Sequence, residues 1–350
     1  MPLGIEGLLI CCFVCVALGC WAAALRRWVS GQRLLAHEPR RVVPWGLFDV
    51  MLAIFAWLIL QGLAVGFVQR AQLATTGSPL TAVPPATQLD LLFVGSLAWL
   101  GAVALSLLSV HTRAGADWSD VGWDRRRVRA DMQLGLLAFV MLAPPVFAIQ
   151  WVLVKWFPSQ HPLIEVIRQQ AGLHAWLCSG FAAIVVAPLA EEYFFRVLLQ
   201  GWLERLFAAE GNWRALLACG DFHRPAADAV AASAFASVPT TASDSRPADG
   251  NPYASPLTPC VEPSDSAYAN HLAEANGVNE KPSVWPIAIS AALFAALHAS
   301  HGPDPIPLFL LAAGLGYLYQ RTHRILPCIV VHFLLNSFSL AMLVIDILAK

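Results

Sequence analysis

The sequence has few charged residues. Asp, Glu, Lys and Arg make up 13 % of its 350 residues, whereas hydrophobic residues make up 57 %. A soluble globular domain carries about 25 % charged residues. The formal net charge of -1 argues against the basic face that nucleic-acid-binding domains present, so no nucleic acid is expected among the partners. The composition instead predicts a polytopic membrane protein embedded in the lipid bilayer.

The later cysteines lack the spacing of a ligand or disulfide motif, and the first apolar run lacks the charge pattern of a signal peptide. The four cysteines beyond the first apolar run have no CxxC spacing, which argues against a disulfide framework or a zinc knuckle. The first apolar run lacks the basic residues that begin a signal peptide; it carries Glu6 and is followed by Arg26 and Arg27. This order of charges is typical of a retained anchor whose N-terminus lies outside.

Long apolar runs, by contrast, recur along the whole chain. A bilayer core about 30 Å thick needs roughly 20 apolar residues as a helix. On this measure the candidate spans are 3–25, 45–68, 90–110, 132–154, 173–200, 284–301, 305–320 and 325–348. The sixth and seventh are short and flank a turn with two prolines, so they are either two spans or a re-entrant pair. The predicted fold is an all-α polytopic bundle of about eight transmembrane segments.

The runs also suggest a division of the chain. Residues 1–172 contain four generic segments, and residues 173–350 contain the segments with charged and imidazole side chains. Within the second part, residues 211–282 are rich in Ala, Ser, Pro, Asp, Asn and Thr. Such a composition cannot bury enough apolar surface to offset the entropy of ordering. We therefore expect a disordered cytoplasmic insertion between the fifth and sixth segments.

The distribution of Lys and Arg predicts the orientation, because cytoplasmic loops carry an excess of both. The loops after the first, third and seventh segments are basic, whereas those after the second and fourth carry only Arg70, Lys155 and Arg168. Alternation then places both termini outside and the basic loops in the cytoplasm. This pattern suits a multi-pass protein of a bacterial cytoplasmic membrane.

The most informative feature is a pair of carboxylates, Glu191 and Glu192, inside the long apolar fifth segment. Ionisable groups at membrane depth are costly, so they indicate function by default. On an α-helix the two side chains point about 100° apart and are not expected to address one site from the same face. Glu192 and Arg196 share a face at i,i+4 and can neutralise one another. That pairing leaves Glu191 for chemistry, and the reverse assignment holds if Arg196 turns outward.

Two later apolar segments add imidazoles. His298 ends a helix of small residues, and His332 and Asn336 share a helix face at i,i+4. A carboxylate, two imidazoles and an amide on separate apolar helices suit metal-assisted or carboxylate-assisted hydrolysis. A transporter that relays protons through its acids and histidines is the rival with the same residues. A membrane immunity or scaffold protein that keeps these helices for binding is another.

Three motifs carry a family resemblance. Glu191-Glu192-Tyr193-Phe194-Phe195-Arg196 fits EExxxR, Phe294 to His298 fits FxxxH, and His332 to Asn336 fits HxxxN. In this order, on separate hydrophobic segments, they resemble the CPBP family of CAAX proteases and bacteriocin-processing enzymes, also called the Abi family. The resemblance covers about 173–340 apart from the insertion, and it implies an intramembrane endopeptidase.

The resemblance also implies roles. Glu191 would activate the attacking water together with His298, and Glu192 and Arg196 would orient the site. His332 and Asn336 would bind a metal or stabilise the oxyanion. One divalent ion such as Zn²⁺, held by Glu191, His298, His332 and Asn336, is one form of the site, and a metal-free site with donors on the oxyanion is the other. The expected partner is a membrane protein or peptide substrate.

Overall fold

The protein is all-helical in the residues that its structure, a computed structural model, describes: 5–38, 42–76, 84–157, 167, 172–208 and 282–348. We number the helices in chain order. They are α1 (Ile5–Val29), α2 (Leu47–Thr76), α3 (Pro85–Ala114), α4 (Val128–Val154), α5 (Leu173–Ala208), α6 (Trp285–Leu297), α7 (Pro305–Thr322) and α8 (Ile325–Leu348). A 3₁₀ turn, Ala299–His301, follows α6.

Helix ends follow the turn signals of the sequence. Pro85, Pro286 and Pro305 stand in the first turns of α3, α6 and α7, where the missing N–H of proline costs no hydrogen bond. Gly115 ends α3 in a left-handed conformation with φ 66°, which glycine adopts without steric penalty.

Six of the described helices, α1 to α5 and α8, are long and apolar enough to cross a membrane. The predicted all-α membrane bundle is therefore confirmed. Helix α6 is shorter, with 13 residues, or about 20 Å at the α-helical rise, and α7 has 18 residues, or about 27 Å. On its own α6 falls short of a bilayer core about 30 Å thick.

The long helix α5 is not a regular α-helix. Its turns widen to π geometry over Phe181–Val186 and again over Tyr193–Gln200. The short α-helical stretch Ala187–Glu192 lies between them and carries the two carboxylates. Wide turns of this kind are rare and are often found at functional sites.

Close packing holds α4 against α8. Gly135 of α4 faces α8 so closely that an added Cβ would lie 2.7 Å from Cβ of Val330 and 2.9 Å from the carbonyl oxygen of Pro327. Around this contact the main core includes Tyr193, Leu315 and Val331 from α5, α7 and α8. Large apolar side chains elsewhere face outward, as Leu63 does with 63 % exposure. An outward apolar surface is what a lipid environment requires.

Ion pairs join the loops at one end of the bundle, which we call the basic end. It comprises residues 30–38 and 42–46, residues 115–127 and the turn at 323–324. Arg324 pairs with Asp131 and, at 2.9 Å, with Glu38, and Arg127 reaches Glu38 at 2.8 Å. Arg205, near the end of α5, donates to the carbonyl oxygen of Val43 at 3.0 Å. These contacts bring together the loop after α1, the segment before α2, the start of α4, the end of α5 and the turn between α7 and α8.

The predicted insertion 211–282 lies, except for residue 282, outside the described residues. The described helices belong to one compact unit that combines residues 1–222 with 284–350. The functional division between 1–172 and 173–350 stays a prediction.

Candidate active site

A cavity of about 1030 Å³ lies among the helices, and Glu191, His298, His332 and Asn336 all line it. The fold thus brings together side chains from α5, α8 and the residue that follows α6. Glu191 remains partly accessible, with 20 % of its side chain exposed, whereas the His332 side chain is 5 % exposed. The remaining wall is mostly apolar, from residues such as Trp99, Phe147 and Leu311.

Behind the cavity wall, Glu192 and Arg196 form a fully buried ion pair. Arg196 Nε donates to Glu192 Oε2 at 3.0 Å, and both side chains are 0 % exposed. The predicted i,i+4 pairing is therefore confirmed, and Arg196 does not turn outward. Arg196 also donates through Nη1 to Ser290 Oγ at 3.3 Å. A buried charge needs such partners because its lost hydration must be replaced.

His332 lies between the two carboxylates. Its Nδ1 is 2.8 Å from Glu192 Oε1, and its Nε2 is 3.8 Å from Glu191 Oε2. The two carboxylates approach different nitrogens of the same imidazole ring, which agrees with the expectation that they do not address one site from the same face. Since an ionised carboxylate only accepts hydrogen bonds, we assign the hydrogen on Nδ1 to the bond with Glu192. Glu192 therefore fixes the ring orientation.

His298 is oriented by its own helix. Its Nδ1 is 2.9 Å from the carbonyl oxygen of Phe294. A carbonyl only accepts, so Nδ1 carries the hydrogen and Nε2 is the ring nitrogen that can take up a proton. The Phe294 ring stands beside both histidines, with ring centroids 5.0 Å from His298 and 6.2 Å from His332.

Asn336 is anchored to the first π segment of α5. Its Nδ2 donates to the carbonyl oxygen of Ala183 at 2.7 Å. An amide nitrogen carries two hydrogens, so one N–H holds the side chain in place and the second can donate into the cavity that Asn336 lines.

Side chains from elsewhere in the fold also bond to the second π segment. Ser290 Oγ donates to the carbonyl oxygen of Phe195 at 2.9 Å, and Trp45 Nε1 donates to that of Leu198 at 3.2 Å. Ser290 was not predicted as a site residue, although it is a lone hydroxyl in the otherwise apolar α6. A single hydroxyl in an apolar helix was the sequence signal that could have indicated Ser290 as a site residue. Its partners could not be predicted, because they depend on the π turns of α5.

The predicted metal ligands do not form an evident metal site. Among the described residues no group of three or more His, Cys, Asp or Glu side chains is placed to hold a metal ion. His332 Nδ1 is engaged by Glu192, and the Asn336 amide nitrogen by Ala183. In the four-ligand form of the site, His332 Nε2 and the Asn336 amide oxygen would be the ligand atoms. That form stays a prediction.

Comparison with known proteins agrees with the motifs. Residues 268–338 match the family model described as Type II CAAX prenyl endopeptidase Rce1-like. This range contains the FxxxH and HxxxN motifs, and the EExxxR motif precedes it. No curated protein sequence and no solved structure matches the chain. The part of the chain that carries His298, His332 and Asn336 is therefore similar to the CAAX prenyl endopeptidases, and this match supports the family that the motifs predicted.

Proposed function

We propose that the protein is an intramembrane endopeptidase that hydrolyses a peptide bond of a membrane-associated protein or peptide. The observation that carries the proposal is the placement of one partly accessible carboxylate, Glu191, and two oriented imidazoles, His298 and His332, around one cavity of an apolar bundle. The family match supports a protease, since its description names an endopeptidase. CAAX-type tails and propeptides are the candidate substrate classes.

The chemistry begins with a water held between Glu191 and His298. Glu191 takes a proton from this water as general base, and the oxygen attacks the carbonyl carbon of the scissile bond. The second N–H of Asn336 donates to the resulting oxyanion, and His332 stabilises the negative charge when Nε2 is protonated. The intermediate collapses when the proton passes to the departing amine, which leaves a new carboxylate and a new amine terminus.

Glu192 and Arg196 act without touching the substrate. Glu192 holds His332 through Nδ1, and Arg196 holds Glu192 through the opposite carboxylate oxygen. A fixed ring needs no reorganisation during the reaction, and preorganised groups are worth more in a site of low dielectric constant.

Reconstituted activity tests the proposal. The purified full chain, in proteoliposomes, is given two lipid-anchored peptides: a farnesylated peptide with a C-terminal CAAX sequence and a propeptide with an internal cleavage site. Mass spectrometry of the products identifies a new terminus. Replacement of a general base lowers the rate by about 10²–10⁴-fold, so we expect Glu191→Gln to remove cleavage while the protein still folds.

Glu204→Gln is the matched control. Glu204 belongs to the same helix but accepts from Gln200 and faces His323, and it does not line the cavity. Its substitution should leave the rate near the wild-type value. Comparison of the membrane peptidomes of wild-type and Glu191→Gln cells extends the test to native substrates. Equal cleavage by wild-type and Glu191→Gln protein would contradict the proposal.

A further inference from the structure

The cavity lies in the half of the bundle away from the basic end. Its wall takes Gln88 to Trp99 from the start of α3, Val146 to Gln150 from the end of α4 and Pro307 to Leu311 from the start of α7. In α5 the lining residues stop at Glu191, before the half that leads to the basic end. Asp304, in the turn before α7, is also part of this wall.

The basic end identifies the cytoplasmic side. Arginines cluster there and are scarce at the other end of each helix, where Arg70 and Lys155 are the exceptions in the described residues. The basic residues at or next to that end that the structure describes are Arg26, Arg27, Arg33, Arg113, Arg125, Arg126, Arg127, Arg129, Arg205, Arg321 and Arg324. An excess of Lys and Arg in short loops marks the cytoplasmic face of a membrane protein.

From these two observations we infer that the site takes its substrate from the extracytoplasmic side of the membrane. The inference rests on the proposed function, because it concerns the substrate of the same site. The substrate class is then a membrane-anchored or exported polypeptide whose scissile segment lies on the extracytoplasmic side. A prenylated tail in the cytoplasm would approach the bundle from the basic end, where the described cavity wall does not reach.

The far part of the cavity has the chemistry to hold a peptide backbone. Gln150 Nε2 donates to Asp304 Oδ1 at 2.7 Å, and Asp304 is 8 % exposed. Gln150 Oε1 is buried without a hydrogen-bond partner in the described structure. A carboxylate and an amide oxygen side by side accept hydrogen bonds, and the N–H groups of an extended peptide supply donors. The apolar walls beside them suit the side chains of such a segment.

Reporter fusions test the sidedness without any change in the bundle. Helix α8 ends at the same end of the bundle as the cavity, so a fusion after residue 350 reports its side. Alkaline phosphatase is active only outside the cytoplasm, and green fluorescent protein fluoresces only inside it. We therefore expect bacterial cells to show phosphatase activity from the first fusion and no fluorescence from the second. A fluorescent second fusion with an inactive first one would overturn the inference.

Thiol labelling places the cavity itself. In a variant without native cysteines, Gln150→Cys reports the cavity and Ser119→Cys reports the exposed loop at the basic end. A membrane-impermeant maleimide added to intact spheroplasts should label the cysteine at position 150. It should label the cysteine at position 119 only after permeabilisation. The reverse pattern would overturn the inference. If the cysteine-free protein does not fold, the fusions still decide the side.

Cleavage then separates the two proposals. Two single-span reporters carry the same scissile segment, one outside and one in the cytoplasm, and we expect cleavage of the outside reporter alone. Cleavage of the cytoplasmic reporter alone would overturn the sidedness. If neither is cleaved while labelling comes from outside, the sidedness holds and the proposed function fails.

Discussion

At the scale of the residue, Ser290 links the site to the unusual winding of α5. Its hydroxyl accepts from Arg196 and donates to the carbonyl oxygen of Phe195. Arg196 in turn bonds to Glu192, and Glu192 holds His332. Ser290 therefore acts on the candidate site only through other side chains, as a positioning residue.

Ser290→Ala should lower both stability and activity. The change leaves the Phe195 carbonyl and Arg196 Nη1 without this partner, and a buried polar group that loses its partner costs about 1–3 kcal/mol. Loss of a group that orients a site residue lowers activity by about 10–100-fold in metal sites. We expect kcat to fall within that range while KM changes little, as measured on the peptide that the wild-type protein cleaves.

Ser179→Ala is the control for this prediction. Ser179 is also fully buried in α5, but its hydroxyl has no hydrogen-bond partner in the described structure. Its removal should leave kcat unchanged. A second measurement is the ¹⁵N spectrum of the His332 ring, which should change in Ser290→Ala and not in Ser179→Ala. Identical spectra for all three proteins would show that Ser290 does not position the ring.

The metal is a separate prediction at this scale. If the four predicted ligands close around an ion that the described geometry does not display, purified protein should contain about one zinc per chain, as a catalytic site does. A membrane-permeant chelator should then abolish cleavage, and added Zn²⁺ should restore it. Elemental analysis with the rate measurement decides the matter. Full activity in metal-free protein would rule out the metal and leave the carboxylate mechanism as the only one of the two.

At the scale of the element, helix contact depends on small residues. Close approach of α4 and α8 requires Gly135, because an added Cβ would meet Val330 at 2.7 Å. In membranes, small residues permit the backbone contact that holds helices together. Helix α5 adds a second kind of contact between helices. The carbonyl oxygens of its π segments accept hydrogen bonds from the side chains of Asn336, Ser290 and Trp45.

Gly135→Ala should destabilise the bundle. Overpacking of a close contact costs about 1–3 kcal/mol, and the Val330 side chain and the Pro327 carbonyl both stand in the way. Gly62→Ala in α2 is the matched control, because no atom lies within 4 Å of its added Cβ. Thermal unfolding in detergent should give a lower midpoint for Gly135→Ala and an equal or higher one for Gly62→Ala. Equal midpoints for both variants would contradict the packing at Gly135.

At the scale of the whole molecule, the basic end ties together loops that are distant in sequence. Glu38 pairs with both Arg127 and Arg324, and Arg324 pairs with Asp131. The Asp131 side chain is 1 % exposed, so this part of the network is desolvated. Removal of one partner from a desolvated ion pair strongly destabilises the protein, whereas removal of a partner from an exposed pair does not.

Arg324→Ala should therefore lower the stability of the protein against unfolding. It leaves Asp131 as a buried charge without this cation, at a cost of about 3–5 kcal/mol. Arg127→Ala is the control: the Arg127 side chain is 52 % exposed, and exposed ion pairs contribute about 0–1 kcal/mol. Unfolding of the variants in detergent measures both. Asp131→Asn added to Arg324→Ala should recover part of the lost free energy of unfolding. An Arg324→Ala protein as stable as the wild type would contradict the role of this ion-pair network.

Much of the fold could be predicted from the sequence for a physical reason. Apolar runs of bilayer length can only be helices in lipid, where every backbone polar group must find a partner. The spacing of Glu192 and Arg196 sufficed to predict their pairing. The motif residues carried the family resemblance, and four of them, Glu191, His298, His332 and Asn336, line the cavity.

How these side chains meet depends on contacts between helices. Periodicity on a regular α-helix separates Glu191 from Glu192, and nothing local to α5 reveals that His332, far along the chain, contacts both. The π turns, the anchoring of Asn336 on Ala183 and the role of Ser290 arise from contacts between helices. A helical membrane bundle and its reactive groups could be predicted from the sequence, because burial in lipid constrains composition and length. The arrangement and orientation of the site's side chains follow from packing between helices, which local propensity does not specify.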